Sequence, residues 1–233
     1  MWYNPRQMML SVHLADVGVR TVFASLRRPP TPDQVPGLRY ATAALTAPLN
    51  GGLLPSPAPG RLGLIAAWDD DAALDGFLGG HPLAKRLESG WHVRLEPLRA
   101  SGTWSPLPEL ETYGRDGELD EPVAVVTFGR LRLSQSVRFL RANLPAADAA
   151  VADPAMIAST GLARPPWFLS TFSLWRTNAA MCSYAYGGSG DAHAAVIRAH
   201  RERPFHSESI FARFRPYRSR GSWDGRDPLA EVA

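Results

Sequence analysis

Cysteine, lysine and long apolar runs are nearly missing from this chain. Cys182 is the only cysteine among 233 residues. That excludes an internal disulfide and any metal cage built on thiolates, and it suits a reducing compartment. In the run MCSYAY it reads as a small buried hydrophobe rather than a nucleophile. Lys85 is the only lysine, so nearly all the positive charge is arginine, a composition typical of GC-rich bacterial genomes. The formal charge is only +3, and no basic run alternates with aromatics, so a nucleic-acid partner is not expected. No window approaches the roughly 18 apolar residues of a membrane-spanning helix, and MWYNPRQMMLSVHLADVG lacks an apolar core of signal-peptide length. The expectation is a cytoplasmic protein. G-x-S-x-G, P-loop and dinucleotide-binding fingerprints are absent as well.

What the chain does have is an internal repeat. Arg94 to Trp104 reads RLEPLRASGTW and Arg213 to Trp223 reads RFRPYRSRGSW. Both follow R-x-x-P-x-R-x-x-G-[S/T]-W. Upstream, Leu62 to Trp68 (LGLIAAW) matches Leu169 to Trp175 (LSTFSLW). Ala-rich helical runs follow, each ending in Gly-Gly, at Gly79-Gly80 and Gly187-Gly188, and each then has a histidine, His81 or His193. The chain is therefore read as a first unit over residues 1–104, a Pro- and acid-rich linker over 105–121, and a second unit over 122–233.

The second unit reads as β-α-β-β-α-β. Strands are expected at Pro122 to Phe128, Met156 to Leu162, Phe168 to Trp175 and Ser209 to Tyr217. Helices are expected at Ser134 to Ala150, with Val137, Leu140 and Leu144 on one face, and at Asn178 to Ala185. Another runs from Ala192 to Arg203, capped by Asp191 and ended by Pro204. In the first unit, strands are expected at Thr21 to Leu26, Arg39 to Leu45, Arg61 to Trp68 and Trp91 to Arg99, with a helix at Asp71 to Leu87. Its first helix reads as lost, replaced by the Pro-rich RRPPTPDQVPG. Two ferredoxin-like units can bury their open sheet faces against each other. The expected fold is thus α+β, two tandem ferredoxin-like repeats forming an intrachain dimeric α+β barrel, with an open side-by-side pairing as the alternative.

The second unit is also longer where chemistry could sit. Trp68 to Trp104 spans 36 positions and Trp175 to Trp223 spans 48. The extra residues fall around the His193 helix and the PFHSES turn. Helical spacing puts His193 on one face with Val196, Ile197 and His200. A histidine on such a face can be a satisfied core residue. It can also be a ligand: one imidazole cannot hold zinc, but it is enough for haem iron, whose porphyrin supplies four ligands. Arginines such as Arg198 and Arg213 would then meet propionates, or else serve the surface. Glu208 could support a ligand histidine or form a surface salt bridge. Phe172, Trp175 and Trp223 read first as core, with pocket walls as the functional version. His200 reads as solvated, His206 as a loop hydrogen-bonder, His81 as a cap before Pro82, and Asp69-Asp70-Asp71 as stabilising a helix N-terminus.

The segments His193-x-x-x-Ile197-Arg198-Ala199, Phe205-x-Ser207-Glu208-Ser209-x-Phe211-x-Arg213-Phe214-x-Pro216 and Gly221-x-Trp223-x-Gly225 resemble the C-terminal signature of the spheroidene monooxygenase family. Gly161-x-x-x-Pro165 and Thr171-Phe172-Ser173-Leu174-Trp175 fit it too. The resemblance runs from Ala155 to Pro228. It implies a haem-dependent monooxygenase with haem b, His193 as axial iron ligand, a small apolar substrate, O2 and an electron donor. The substrate would be carotenoid-like or a biosynthetic intermediate. A homo-oligomer is compatible with it. Two alternatives stay open: a haem lyase or dehydratase acting on an N–O bond, and a non-catalytic haem- or small-molecule-binding barrel.

Overall fold

The structure is a computed structural model. It describes residues 8–49, 56–107, 110, 118–186 and 191–231, with the backbone alone at 191–193. The first half gives β1 (Met9–Asp16), α1 (Val19–Arg27), β2 (Leu38–Ala47), β3 (Ala58–Trp68), α2 (Asp71–Gly80), α3 (Pro82–Leu87) and β4 (Trp91–Thr103). The second gives β5 (Val123–Leu131), α4 (Ser136–Ala152), β6 (Met156–Arg164), β7 (Phe168–Trp175), α5 (Asn178–Tyr186), α6 (Asp191–Glu202) and β8 (His206–Gly221). The strands close into one antiparallel barrel in the order β1-β3-β2-β6-β7-β5-β8-β4. Both halves have the order β-α-β-β-α-α-β, the expected β-α-β-β-α-β with the second helical segment in two pieces. The expected two-repeat barrel is what forms, and the open pairing is not.

Two expectations for the first half are overturned. Thr21 to Leu26 is not a strand but the middle of α1, so the first helix is not lost. Gly18 sits at φ 81°, a value that favours glycine, and turns the chain out of β1. Val22 and Ser25 then face the sheet one turn apart. The real first strand, MLSVHLAD, is buried on both faces for seven of its eight residues. It therefore lacks the polar–apolar alternation that marks a half-exposed strand.

Alternate residues divide the strands between two environments. Leu10, Val12, Val93, Leu95, Val126, Phe128, Phe172, Ala212 and Phe214 fill the barrel interior. The repeated tryptophans close its two ends. Trp104 packs against Phe128 and Phe168, with ring centroids 5.7 and 5.6 Å apart, and donates to the Tyr40 hydroxyl at 3.2 Å. Trp223 packs against Trp91 and Phe172, at 5.5 and 6.1 Å. The glycine of each repeat explains itself: Gly102 and Gly221 have φ of 93° and 91°, and a Cβ would lie 2.2 Å from Ser209 O or 1.9 Å from Gly90 O. The interior is packed side chains from end to end, not a substrate chamber.

The outer faces carry the helices. Helix α1 lies on β2 and β3, α2 on β3 and α3 on β1. Beneath them Leu62, Leu64, Ala66, Trp68, Leu74 and Phe77 form a sealed layer. Asp70 caps α2 by accepting from Ala73 N at 2.9 Å, and His81 caps α3 by accepting from Leu83 N at 3.1 Å, as the sequence suggests. The Asp191 cap and Gly187-Gly188 fall outside the described side chains and residues.

Candidate functional site beneath the sixth helix

The two halves treat their outer faces differently. In the first, the helices sit directly on the sheet. In the second, α4 meets β6 and α5 meets β7, but α6 packs chiefly on α4 and α5. The floor under α6 keeps Thr127, Leu169, Thr171, Ser209 and Phe211 only part-buried. The predicted apolar face of α4 shares this: Leu140 and Leu144 are half-buried and Val137 is exposed, while Ala146, Ala147 and Ala150 carry the contact. Apolar surface is normally covered in a stable monomer. The result is a partly covered region, here called the cleft, between α4, α6 and the outer face of β5, β7 and β8.

Its floor has small and polar members. Thr127 and Thr171 bridge β5 and β7 with hydroxyls 2.7 Å apart, and Thr171 N donates to Thr127 Oγ1 at 3.0 Å. Gly129 leaves room for the His206 ring, which lies over it. Arg138 of α4 clasps the C-terminal end of α6, donating to Ala199 O at 2.5 Å and Arg203 O at 2.7 Å, and its guanidinium covers the Phe205 ring at 4.5 Å. Ala199 O also accepts from Arg203 N at 3.2 Å, so Arg138 adds a second donor there and supplies one to the Arg203 carbonyl beyond the helix end. Sequence reading missed Thr127, Gly129, Arg138, Phe139 and Thr171. The one signal was the glycine that follows the β-branched run of β5.

The residues expected at the site are distributed as follows. His193, Ile197 and Arg198 lie on α6, with Ile197 half-buried and Arg198 exposed. The His193 side chain is outside the described residues. Trp175 is on the outer face under α5, against Tyr184 at 5.2 Å. Arg213 is buried there, donating to Asn178 Oδ1 at 3.1 Å and lying 3.4 Å from Cys182 Sγ. Cys182 is half-buried rather than a core residue. Glu208 and Phe172 are not brought to α6. Phe172 lies inside the barrel, and Glu208 sits near Trp104, bonded by Ser105 and 3.3 Å from Arg130, whose guanidinium covers the Trp104 ring.

The repeat makes the buried arginine informative. Arg94 and Arg213 hold equivalent places. Arg94 bonds Asp71 and Asp75 of α2, and the equivalent positions on α5 are Asn178 and Cys182. The second half has thus exchanged two carboxylates for neutral groups beside a buried guanidinium.

Neither His200 nor His206 is the solvated or loop residue expected. The His200 Nδ1 accepts from Phe205 N at 3.2 Å, and burial lowers its pKa. A neutral His200 therefore carries its proton on Nε2, which leaves that nitrogen without the lone pair a metal needs. Burial, then the neighbouring His200, pushes His206 down to about 4. Among the described residues no group of three His, Cys, Asp or Glu side chains is placed to hold a metal ion. No helix among them is long and apolar enough to cross a membrane.

Comparison with known proteins gives the family and the fold. No family model matches the chain. It is 34% identical over 196 residues to the spheroidene monooxygenase of Rubrivivax gelatinosus, covering 82% of this chain and 73% of the relative. It is 31% identical over 185 residues to the spheroidene monooxygenase of Rhodobacter capsulatus, covering 77% and 76%. Among solved structures, an aldoxime dehydratase superposes with a TM-score of 0.57 at 10% identity, covering 99% of this chain and 89% of that one, a likeness of fold alone. The chain therefore belongs to the spheroidene monooxygenase family.

Proposed function

We propose that this chain is a haem-dependent monooxygenase that oxidises an apolar small molecule, carotenoid-like or a biosynthetic intermediate. Haem b would lie in the cleft beneath α6, with His193 as its axial ligand. The observation that carries this reading is the asymmetry of the two outer faces: the first sheet is sealed, while the second keeps apolar surface uncovered beneath the helix bearing His193. The residues present fit a flat apolar group with acidic edges. Phe139, Ile197 and Phe211 offer apolar surface, and Thr127, Gly129 and Thr171 keep the floor low. Arg198, exposed on α6, would meet a propionate, while Arg213, held under α5 by Asn178, would add positive charge from beneath. Phe172 and Glu208, on the other side of the sheet, act at a distance by packing and by holding Arg130.

Bound haem would supply O2 binding and activation, with electrons from a separate donor. The chain's own residues set the conditions. Arg138 fixes the height of α6 above the floor, and the apolar walls exclude water from an apolar substrate. The neutral state of His200 and His206 keeps two positive charges out of the cleft at neutral pH.

The test is the absorption spectrum of protein reconstituted with haem, as wild type and as His193→Ala. A Soret band that is present in wild type and shifted or lost in the variant is expected. Absence of specific haem uptake by the wild type overturns the reading. Turnover of an aldoxime without O2 uptake would replace it by a dehydratase.

A further inference from the structure

We infer that His206 is a specificity-determining residue: its imidazole hydrogen-bonds an oxygen function on the molecule entering the cleft, so that an oxygenated apolar molecule is taken in preference to the plain hydrocarbon. The inference rests on the cleft being the substrate site.

The position of the ring carries it. His206 opens β8, and its ring lies over Gly129, where a Cβ would come within 2.7 Å of Cδ2 and 2.8 Å of Nε2. A glycine in mid-sheet usually marks a bulge or a close approach, and here the approaching group is an imidazole. Phe139 of α4 holds the ring edge-on, with centroids 5.0 Å apart and planes at 74°. His200 of α6 lies 5.7 Å away. The charged groups nearby are Arg138 of α4, on the α6 carbonyls, and Arg132, which donates to His206 O at 3.3 Å. The ring is thus fixed from three sides, in the one place on the β5 floor without a side chain.

The hydrogen-bonding capacity of that ring is unspent. A neutral imidazole has one N–H and one lone pair. Among the described residues neither ring nitrogen of His206 has a hydrogen-bond partner. The nearby polar floor is different, since Thr127 and Thr171 already bond each other. The groups packed against it are otherwise hydrocarbon, Phe139 and Phe205, with the Nε2–H of His200 at the edge. A largely apolar surround with a fixed donor–acceptor ring binds a molecule that is mostly hydrocarbon and carries one hydroxyl or carbonyl. The imidazole accepts from the hydroxyl or donates to the carbonyl. Leaving such a group unmet against a hydrocarbon is what produces discrimination.

The experiment titrates haem-loaded protein with geraniol, an acyclic terpene alcohol, and with myrcene, an acyclic terpene hydrocarbon. Binding is read by the shift of the haem absorption band and, independently, by tryptophan fluorescence. Wild type should prefer geraniol by at least about tenfold, within the range a buried hydrogen-bonding site supplies. His206→Phe should bind myrcene within about twofold of wild type and lose the preference. His206→Gln, which keeps a donor and an acceptor, should retain most of it. Gly129→Ala, which drives the ring off the floor, should behave as His206→Phe does, with melting curves confirming that each variant is folded. A preference that survives in His206→Phe, or no preference in wild type, overturns the inference while leaving the haem site standing. So does a loss of haem affinity with the preference intact, which would assign His206 to the haem instead. Wild type that takes up neither haem nor terpene sinks the cleft reading itself.

Discussion

Trp104 and Trp223 illustrate how a single repeated residue can serve the fold twice. Each comes two positions after a glycine whose positive φ other residues rarely adopt, and each turns its indole into one end of the barrel. Trp104 is the more buried, so Trp104→Ala should cost about 3–5 kcal/mol, the range for deleting a large aromatic from a core, and Trp223→Ala less. Urea denaturation of both variants checks the order. Gly221→Ala should also destabilise, because its Cβ would meet the Gly90 carbonyl and its φ is unsuited to alanine. Three histidines add a pH dependence. Burial, helped by His92 and Arg94, holds His13 well below the usual imidazole range. Burial pushes both His92 and His206 down to about 4. The unfolded chain takes up protons near the ordinary pKa of about 6.5, whereas the folded chain resists until about 4. Protons therefore favour unfolding, and the melting temperature should fall as pH drops from 6.5 to 4. His92→Gln should flatten that fall, and a melting temperature constant across the window would contradict the assignment. The tryptophans, the glycines and the caps at Asp70 and His81 were legible in the sequence because their roles are local. Glu208 and Phe172 were not separable from the helix-facing residues, because face depends on register around a closed barrel.

At the scale of elements, α6 differs from every helix of the first half. It has twelve residues where the equivalent α3 has six, and it stands on other helices rather than on the sheet. The length difference between repeats pointed to this element correctly. Its standoff did not show in the sequence, because it depends on the clasp between Arg138 and two carbonyls across a gap of some sixty residues. Arg138→Ala should free that end. Amide hydrogen exchange in residues 199–203 should quicken by an order of magnitude or more, while exchange in β5 and β7 stays unchanged. Equal protection in the variant would show that α4 and α5 hold α6 by packing alone. The strand β1 was missed for the opposite reason: it is too well buried to alternate. Helix α1 was missed because Thr21-Val22-Phe23, two β-branched residues and an aromatic, imitates a strand.

For the whole molecule, the repeats are inseparable. The halves meet along two seams, β2 with β6 and β4 with β8. Without them, residues 122–233 would leave Phe172, Phe214 and Ala212 open to solvent. Expressed alone, this half should dimerise or aggregate. Mixed with the first half, it should regain a monomer-sized complex, which gel filtration can follow. A stable monomeric second half would mean that the cleft needs no barrel behind it.

The seam between β4 and β8 is the longest, running from Trp91 opposite Gly221 to Thr103 opposite Ser209. Its partners are more than a hundred positions apart in the chain. Closing so large a loop carries an entropic cost before any of its hydrogen bonds form. Topologies dominated by such distant pairings fold slowly. Either half alone leaves the cylinder open, so the two copies of the repeated motif come side by side only when the halves meet. The duplication that made the barrel thus also sets its clock: one eleven-residue pattern, present twice, lies along a seam that is slow to close.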